Sequence, residues 1–322
     1  MAIYKYVSEE RIDILQNLLI RFTQPSEFND PFEANPFLKA LTDHDTICDL
    51  LNGMHLNEAD IFASLEKKVE EQYHEATRKS QVQLPPWADV KKNLLNKDNI
   101  LPHMRNLIPE YEQMGKNLLE SILRLDSKES RQFVLPNIRE SIDKTVGILS
   151  LTERPDNLLM WAHYSSNHTG FVIQFDETHS FFDRRTEPNE LRRYLKKVIY
   201  LDQRPETVLY NSKVSEEENS NNLSDNVFWN KSRHWEYEQE WRMIDTLDGC
   251  EKKIVIDNHE ICLFSIPSDA LKGIILGYKM KNEIKQDIIN LLKTDHKYFH
   301  MQVFQATINE SKYKTDINKL TV

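Results

Sequence analysis

The chain has 322 residues, 39% of them hydrophobic and 10% aromatic, enough for a sizeable core in one large domain or two smaller ones. Its seven glycines form no Gly-x-Gly cluster, which excludes a dinucleotide-binding turn and a P-loop, because both need glycine where backbone approaches phosphate. The formal charge of −10 is the reverse of what a protein coating a nucleic-acid backbone carries.

Against that acidic background, Arg184, Arg185, Arg192, Arg193, Lys196 and Lys197 make one basic stretch, which reads as a solvated helix face or a local patch for a nucleic acid. Cys48, Cys250 and Cys262 are widely spaced, contain no Cys-x-x-Cys pair and read as reduced thiols. No leader sequence or membrane-spanning run is recognisable, so the expected protein is cytoplasmic and makes no membrane contact.

In chain order, Ile3-Tyr-Lys-Tyr-Val7 is short, aromatic and β-branched and predicts a strand. Ser8 is placed to cap a following helix with Ile12, Leu15 and Leu19 inward. Ile20–Thr23 predicts a second strand, and the loop from Gln24 to Glu33 carries two prolines, an Asn-Asp pair and two phenylalanines expected to pack down. Between residues 36 and 145 the period changes from two to near four. Ile61, Leu65, Val69, Tyr73 and Ala76 share one helix face, and Tyr111, Met114, Leu118, Ile122 and Leu125 another. Strands resume at Val146–Thr152, Gly170–Asp176 and Lys197–Asp202. The polar segment 212–226 predicts a mobile loop, and Ile261–Ile266, Gly273–Gly277 and Phe299–Ile308 predict further strands around a helix at Asn282–Lys293. The expected fold class is α+β: a mixed or antiparallel strand-rich body, residues 1–35 and 146–322, carrying a helical insertion at 36–145.

Chemistry concentrates in Ser150–Tyr164 and His234–Arg242, because four of the five tryptophans fall between residues 161 and 241. As a strand, residues 236–244 put Glu236, Glu238, Glu240 and Arg242 on one face. Adjacent carboxylates raise one another's pKa and can supply an acid or base, whereas a plain Glu–Arg pair on a solvated face accounts for the same pattern. His163 suits a base, a ligand contact or a core histidine. His163 and His168, five apart, do not share a helix face as a zinc pair would, and no metal site is expected from them.

Several stretches together carry a resemblance: Tyr4-Lys-Tyr6, Arg21-Phe-Thr-Gln-Pro-Ser-Glu-Phe-Asn-Asp-Pro-Phe-Glu33, Met160-Trp-Ala-His-Tyr164, Gly170-Phe-Val-Ile-Gln-Phe175 and Tyr237-Glu-Gln-Glu-Trp-Arg242. They resemble a widespread bacterial family known as a domain of unknown function. The layout is also similar to the ADP-ribosyltransferase superfamily, in which three strand-borne positions hold NAD and the last is a glutamate. That resemblance implies an NAD-dependent enzyme, a toxin or phage-defence effector, modifying a nucleic acid or a protein. It places Tyr4 or Tyr6 at the first position, Ser150 or Thr152 at the second and Glu238 or Glu240 at the last. His163, Tyr164 and Arg242 would support the pocket, and Trp161 would join the cofactor-binding rings. The sequence departs from the superfamily pattern in lacking a Ser-Thr-Ser triplet and in carrying Tyr-Lys-Tyr where Arg or His is usual. Two other readings fit the same residues. One is a non-catalytic ligand- or partner-binding module; the other is a metal-dependent nuclease using Asp30, Glu33 and Glu240.

Overall fold

The computed structural model describes residues 2–79, 85–256 and 259–321. Two units divide the chain: residues 1–37, 135–207 and 216–322 form one, and residues 38–134 and 208–215 the other.

The first unit is built on an eight-stranded sheet. In chain order its strands are β1 (Ala2–Val7), β2 (Val146–Thr152), β3 (Phe171–Asp176), β4 (Leu195–Lys197), β5 (Glu240–Thr246), β6 (Leu271–Leu276), β7 (Gln302–Ile308) and β8 (Thr315–Lys319). They lie side by side as β8-β7-β6-β3-β1-β2-β5-β4. Only the β6–β7 pair is parallel, joined through the helix Asn282–Thr294, which buries Ile288, Ile289 and Leu292. The architecture is α+β with a mixed sheet, as the alternation of strand and helix periods predicts.

Period-two alternation decides which chemistry each face carries. Ile3 and Val7 of β1, Leu149 and Leu151 of β2, Ile173 of β3 and Met243 of β5 enter the main hydrophobic core. On the opposite face, the register aligns Tyr4 with Thr152 and Thr152 with Glu240, one row across three strands. Arg242 pairs with Ser150 in the next row. The ladder is uneven: β1 pairs with β3 along all of Ala2–Val7, but with β2 only at Tyr4 and Thr152. Where β1 and β2 part, Lys5 Nζ donates to the Ser150 carbonyl oxygen at 3.1 Å, replacing a missing ladder partner.

Several local expectations give way. Ser8 makes no side-chain capping bond, and a 3-10 turn (Glu9–Ile12) leads into the short helix Asp13–Asn17; Leu19 belongs to the next strand, Leu19–Phe22. The polar 212–226 segment is not a loop throughout: Glu216–Ser224 is α-helical and runs on as a π-turn over Asp225–Trp229, anchored by buried Val227 and Trp229. The basic stretch is no helix face. Arg184 and Arg193 meet Asp245, Arg185 meets Asp183, Arg192 meets Glu190, Lys196 meets Asp225 and Lys197 meets Glu153.

The second unit holds the helices His44–Gly53, Glu58–Lys79, Trp87–Leu94 and Lys97–Arg124, and residues 38–42 and 208–210 of the two-stranded ribbon Phe37–Thr42 and Glu206–Tyr210. The apolar stripe predicted on the 97–124 helix exists, but much of it is not buried: Tyr111 is 61%, Met114 68% and Leu118 62% exposed. Likewise Leu65 on the preceding long helix is exposed, while Phe62 beside it is buried. No helix among the described residues is long and apolar enough to cross a membrane.

Candidate functional site

The gap between β1 and β2 opens into a cavity of about 310 Å³ within the first unit. That is at the lower end of small-molecule sites. Tyr4, Lys5 and Tyr6 contribute from β1, Ser150, Leu151 and Thr152 from β2, and Glu240 from β5. The helix Leu158–Tyr164 adds Met160 and Tyr164, one turn apart. Asn157 caps that helix by accepting from the Leu159 and Met160 amides, and its own Nδ2 donates to the Tyr237 carbonyl at 2.9 Å. One amide therefore ties the Tyr164 helix to the segment that carries Glu238.

That segment differs from expectation. Arg233–Glu238 is a 3-10 turn, and only Glu240 and Arg242 are on a strand. Gln239 between them is left-handed, φ 44° and ψ 56°. A non-glycine residue there is strained. Across this reversal, Glu238 and Glu240 both reach one ammonium group, that of Lys231.

Lys231 is on the short strand Asn230–Ser232 and has 5% of its side chain exposed. Its Nζ is 2.7 Å from Glu238 Oε2, 2.8 Å from Glu240 Oε2 and 3.5 Å from Glu33 Oε2. Arg242, fully buried, donates from Nε to Glu240 Oε1 at 2.8 Å, from Nη2 to Glu240 Oε2 at 3.0 Å and from Nη1 to the Phe228 carbonyl at 2.6 Å, and it also pairs with Glu33. Phe28 lies under the guanidinium, 5.7 Å from its carbon. Three carboxylates thus face two internal cations, with one negative charge in excess when all are ionised.

Burial acts on Glu240, Lys231 and Arg242 in this cluster. It pushes the Glu240 carboxyl up, opposed by Lys231 and reinforced by the charge of Glu238. Burial also works against the Lys231 ammonium, but Glu240 and Glu238 outweigh it and hold Lys231 above the ordinary lysine range. Arg242 is pulled down to about 9 by burial, with Asp30 acting to raise it. At the cavity floor, enclosure by protein lowers Lys5 to about 8, helped by Arg11.

The two glutamates are not equivalent. Both oxygens of Glu240 are taken by Arg242, and one also by Lys231. Glu238 accepts from Tyr164 Oη at 2.6 Å on Oε1 and from Lys231 on Oε2, one donor to each oxygen. A carboxylate accepts about four hydrogen bonds, so Glu238 retains capacity for a ligand hydroxyl.

Residues 160–243 match the model of a protein family of unknown function, DUF2971. The matched stretch contains Tyr164, Lys231, Glu238, Glu240 and Arg242, while Tyr4-Lys-Tyr6 and the Arg21–Glu33 loop fall outside it. No curated protein and no solved structure matches the chain.

Of the residues singled out from sequence, Tyr4, Tyr6, Ser150, Thr152, Tyr164, Glu238 and Glu240 line one cavity. Tyr6 Oη donates to the Arg154 carbonyl at 2.7 Å, and Thr152 Oγ1 donates to the Glu238 carbonyl. Three others are placed differently. Arg242 is behind the lining, holding Glu240. Trp161 is fully buried, packed edge-on to Tyr6 at 5.2 Å with Nε1 donating to the Pro155 carbonyl, so its ring is core. His163 is exposed and outside the lining. Asp30 and Glu33 also line the cavity, but among the described residues no group of three or more His, Cys, Asp or Glu is placed to hold a metal ion. Sequence reasoning missed Lys231, Lys5, Arg21 and Trp235. A lone lysine two residues after Trp229 was the available signal for Lys231.

Proposed function

We propose that this cavity binds the nicotinamide-ribose part of NAD and that the protein transfers ADP-ribose, with Glu238 as the catalytic carboxylate. The observation that carries this reading is the asymmetry of the glutamates: both are in the cavity wall, but Glu238 has one donor on each oxygen, whereas Glu240 already accepts three hydrogen bonds from Arg242 and Lys231. Glu238 would accept from ribose hydroxyls and stabilise positive charge at the anomeric carbon as its bond to nicotinamide breaks. The electron pair of that bond passes to the ring nitrogen, which becomes neutral. The acceptor then bonds to the anomeric carbon and releases its proton. A fixed carboxylate in a site of low polarity is worth several kcal/mol to such a transition state, of the order found for fixed oxyanion donors. Tyr164 and Lys231, one on each oxygen, fix the carboxylate's rotamer. Tyr4, Tyr6 and Trp235 supply flat surfaces for a ring, and Arg21, whose Nε has no partner in the structure, supplies a cation for the diphosphate.

One observation favours a second reading. The cluster's carboxylates all contact internal cations, as a purely structural network would, and a non-catalytic NAD-binding module would look the same up to that point. Calorimetric titration with NAD tests the shared part of both readings. Binding weakened at least roughly tenfold in Arg21→Met supports the site; absence of NAD binding to the wild-type chain removes both.

A further inference from the structure

A second cavity, about 240 Å³, lies within the same unit and shares Asp30, Glu33 and Lys231 with the first. Its other walls differ in chemistry. Phe32 and Phe37 are 57% and 40% exposed, and the Arg204 guanidinium is between them, 5.4 and 5.6 Å from their ring centres. Burial lowers Arg204, and Asp30 acts to raise it. Exposed rings beside a guanidinium plane form a stacking surface for a flat heterocycle.

Two residues of the same lining carry buried acceptors without a donor. Asp30 is 95% buried, being 5% exposed. Its Oδ1 accepts from the Phe32 amide at 2.9 Å, and its Oδ2 has no hydrogen-bond partner. Asn35 donates from Nδ2 to the Pro31 carbonyl at 3.3 Å, which orients the amide and leaves a buried Oδ1 without a partner. A buried acceptor without a donor is costly, and a ligand that brings donors would relieve both.

We propose that the second cavity binds a guanine base. Guanine alone among the common bases presents two adjacent donors, N1–H and the N2 amino group, on its Watson–Crick edge. Adenine and cytosine place an acceptor beside their amino group, and uracil flanks its one N–H with two carbonyls. Asp30 Oδ2 and Asn35 Oδ1 take the two donors, and Phe32 with Arg204 takes the ring face. This goes beyond the NAD reading and does not depend on it. If both hold, the shared wall of Asp30, Glu33 and Lys231 puts a guanine acceptor next to the site of ADP-ribose transfer.

The test is calorimetric titration of the full chain, without NAD, with GMP, IMP, AMP and CMP, whose common phosphate makes differences report the base. GMP should bind at least roughly tenfold tighter than AMP or CMP, with IMP, which lacks the N2 amino group, in between. Phe32→Ala, at an exposed position where the fold is not at risk, should weaken GMP roughly tenfold, and Asn35→Leu should erase the preference for GMP over IMP. Equal affinity for all four nucleotides, tighter binding of AMP, no binding of any, or a GMP affinity unchanged in Phe32→Ala would each overturn the assignment. NAD binding is read in separate titrations, so either site can fail while the other stands.

Discussion

Replacing Lys231 with Met keeps most of the side-chain volume and removes the one ammonium that touches three carboxylates. The lysine is 5% exposed, and its partners Glu33, Glu238 and Glu240 are as deeply buried. Without it, Arg242 still pairs with Glu33 and Glu240 but Glu238 keeps no cation, and the excess negative charge rises from one to two. Breaking a buried ion pair in this way costs about 3–5 kcal/mol, roughly 10²–10⁴-fold in the folding equilibrium. The loss should depend on pH with a defined sign. Carboxylates deprived of their cation have folded pKa values above the unfolded ones, so their contribution is favourable below the unfolded value and is lost as pH rises through the folded one. The variant should therefore be most impaired near pH 8 and approach wild type toward pH 5. Urea unfolding followed by tryptophan fluorescence reads the right unit, since Trp161, Trp229, Trp235 and Trp241 all belong to it and only Trp87 to the other. A midpoint shift of roughly 1–2 M at pH 8 is expected. A loss below about 1 kcal/mol, the range of exposed pairs, or one independent of pH would refute the claim that Lys231 neutralises the cluster.

Other substitutions separate site from scaffold. Tyr164→Phe removes the hydroxyl that donates to Glu238 at 2.6 Å; stability should fall by about 1.5–3 kcal/mol, as for hydrogen bonds to charged groups, with nicotinamide release reduced more than NAD affinity. Trp161→Ala should cost about 3–5 kcal/mol in thermal or urea unfolding, because that ring is core, and an unfolding midpoint equal to wild type would place it elsewhere. Between about pH 8 and 10.5, Lys5, lowered to about 8 from 10.5 by burial, is without its proton in the folded chain while the unfolded chain still holds it. Wild-type stability relative to Lys5→Met should therefore rise between about pH 8 and 10.5, by no more than about 3 kcal/mol; a flat or falling difference would contradict the shift.

Much of the scaffold was legible because period-two patterning is a local signal. The alternation in Ile3–Val7 and Val146–Thr152, and at Glu240 and Arg242, fixes which side chains share a face, and pairing then aligned Tyr4, Thr152 and Glu240 in one row. What the pattern concealed arose from single residues. A left-handed Gln239 carries no sequence mark such as glycine would, so Glu238 was read onto a strand although it ends a 3-10 turn. Lys231 is on a strand of three residues, too short to show a period. The Glu216–Ser224 helix is polar except for Leu223 and is held by the apolar Val227-Phe-Trp229 that follows it, so composition alone suggested a mobile loop. On the 97–124 helix, the period correctly grouped Tyr111, Met114 and Leu118, but periodicity reports a shared face and not whether that face is covered.

The most direct test of the account is nicotinamide release from NAD by the purified chain, measured with and without RNA, DNA and protein acceptors, for wild type, Glu238→Gln and Glu240→Gln. The account predicts release by wild type, loss of at least roughly a hundredfold in Glu238→Gln, and in Glu240→Gln a lowered unfolding midpoint with release retained by the folded fraction. Release undiminished in Glu238→Gln would contradict its catalytic role, and NAD binding without release by the wild type would assign the cavity to a binding module.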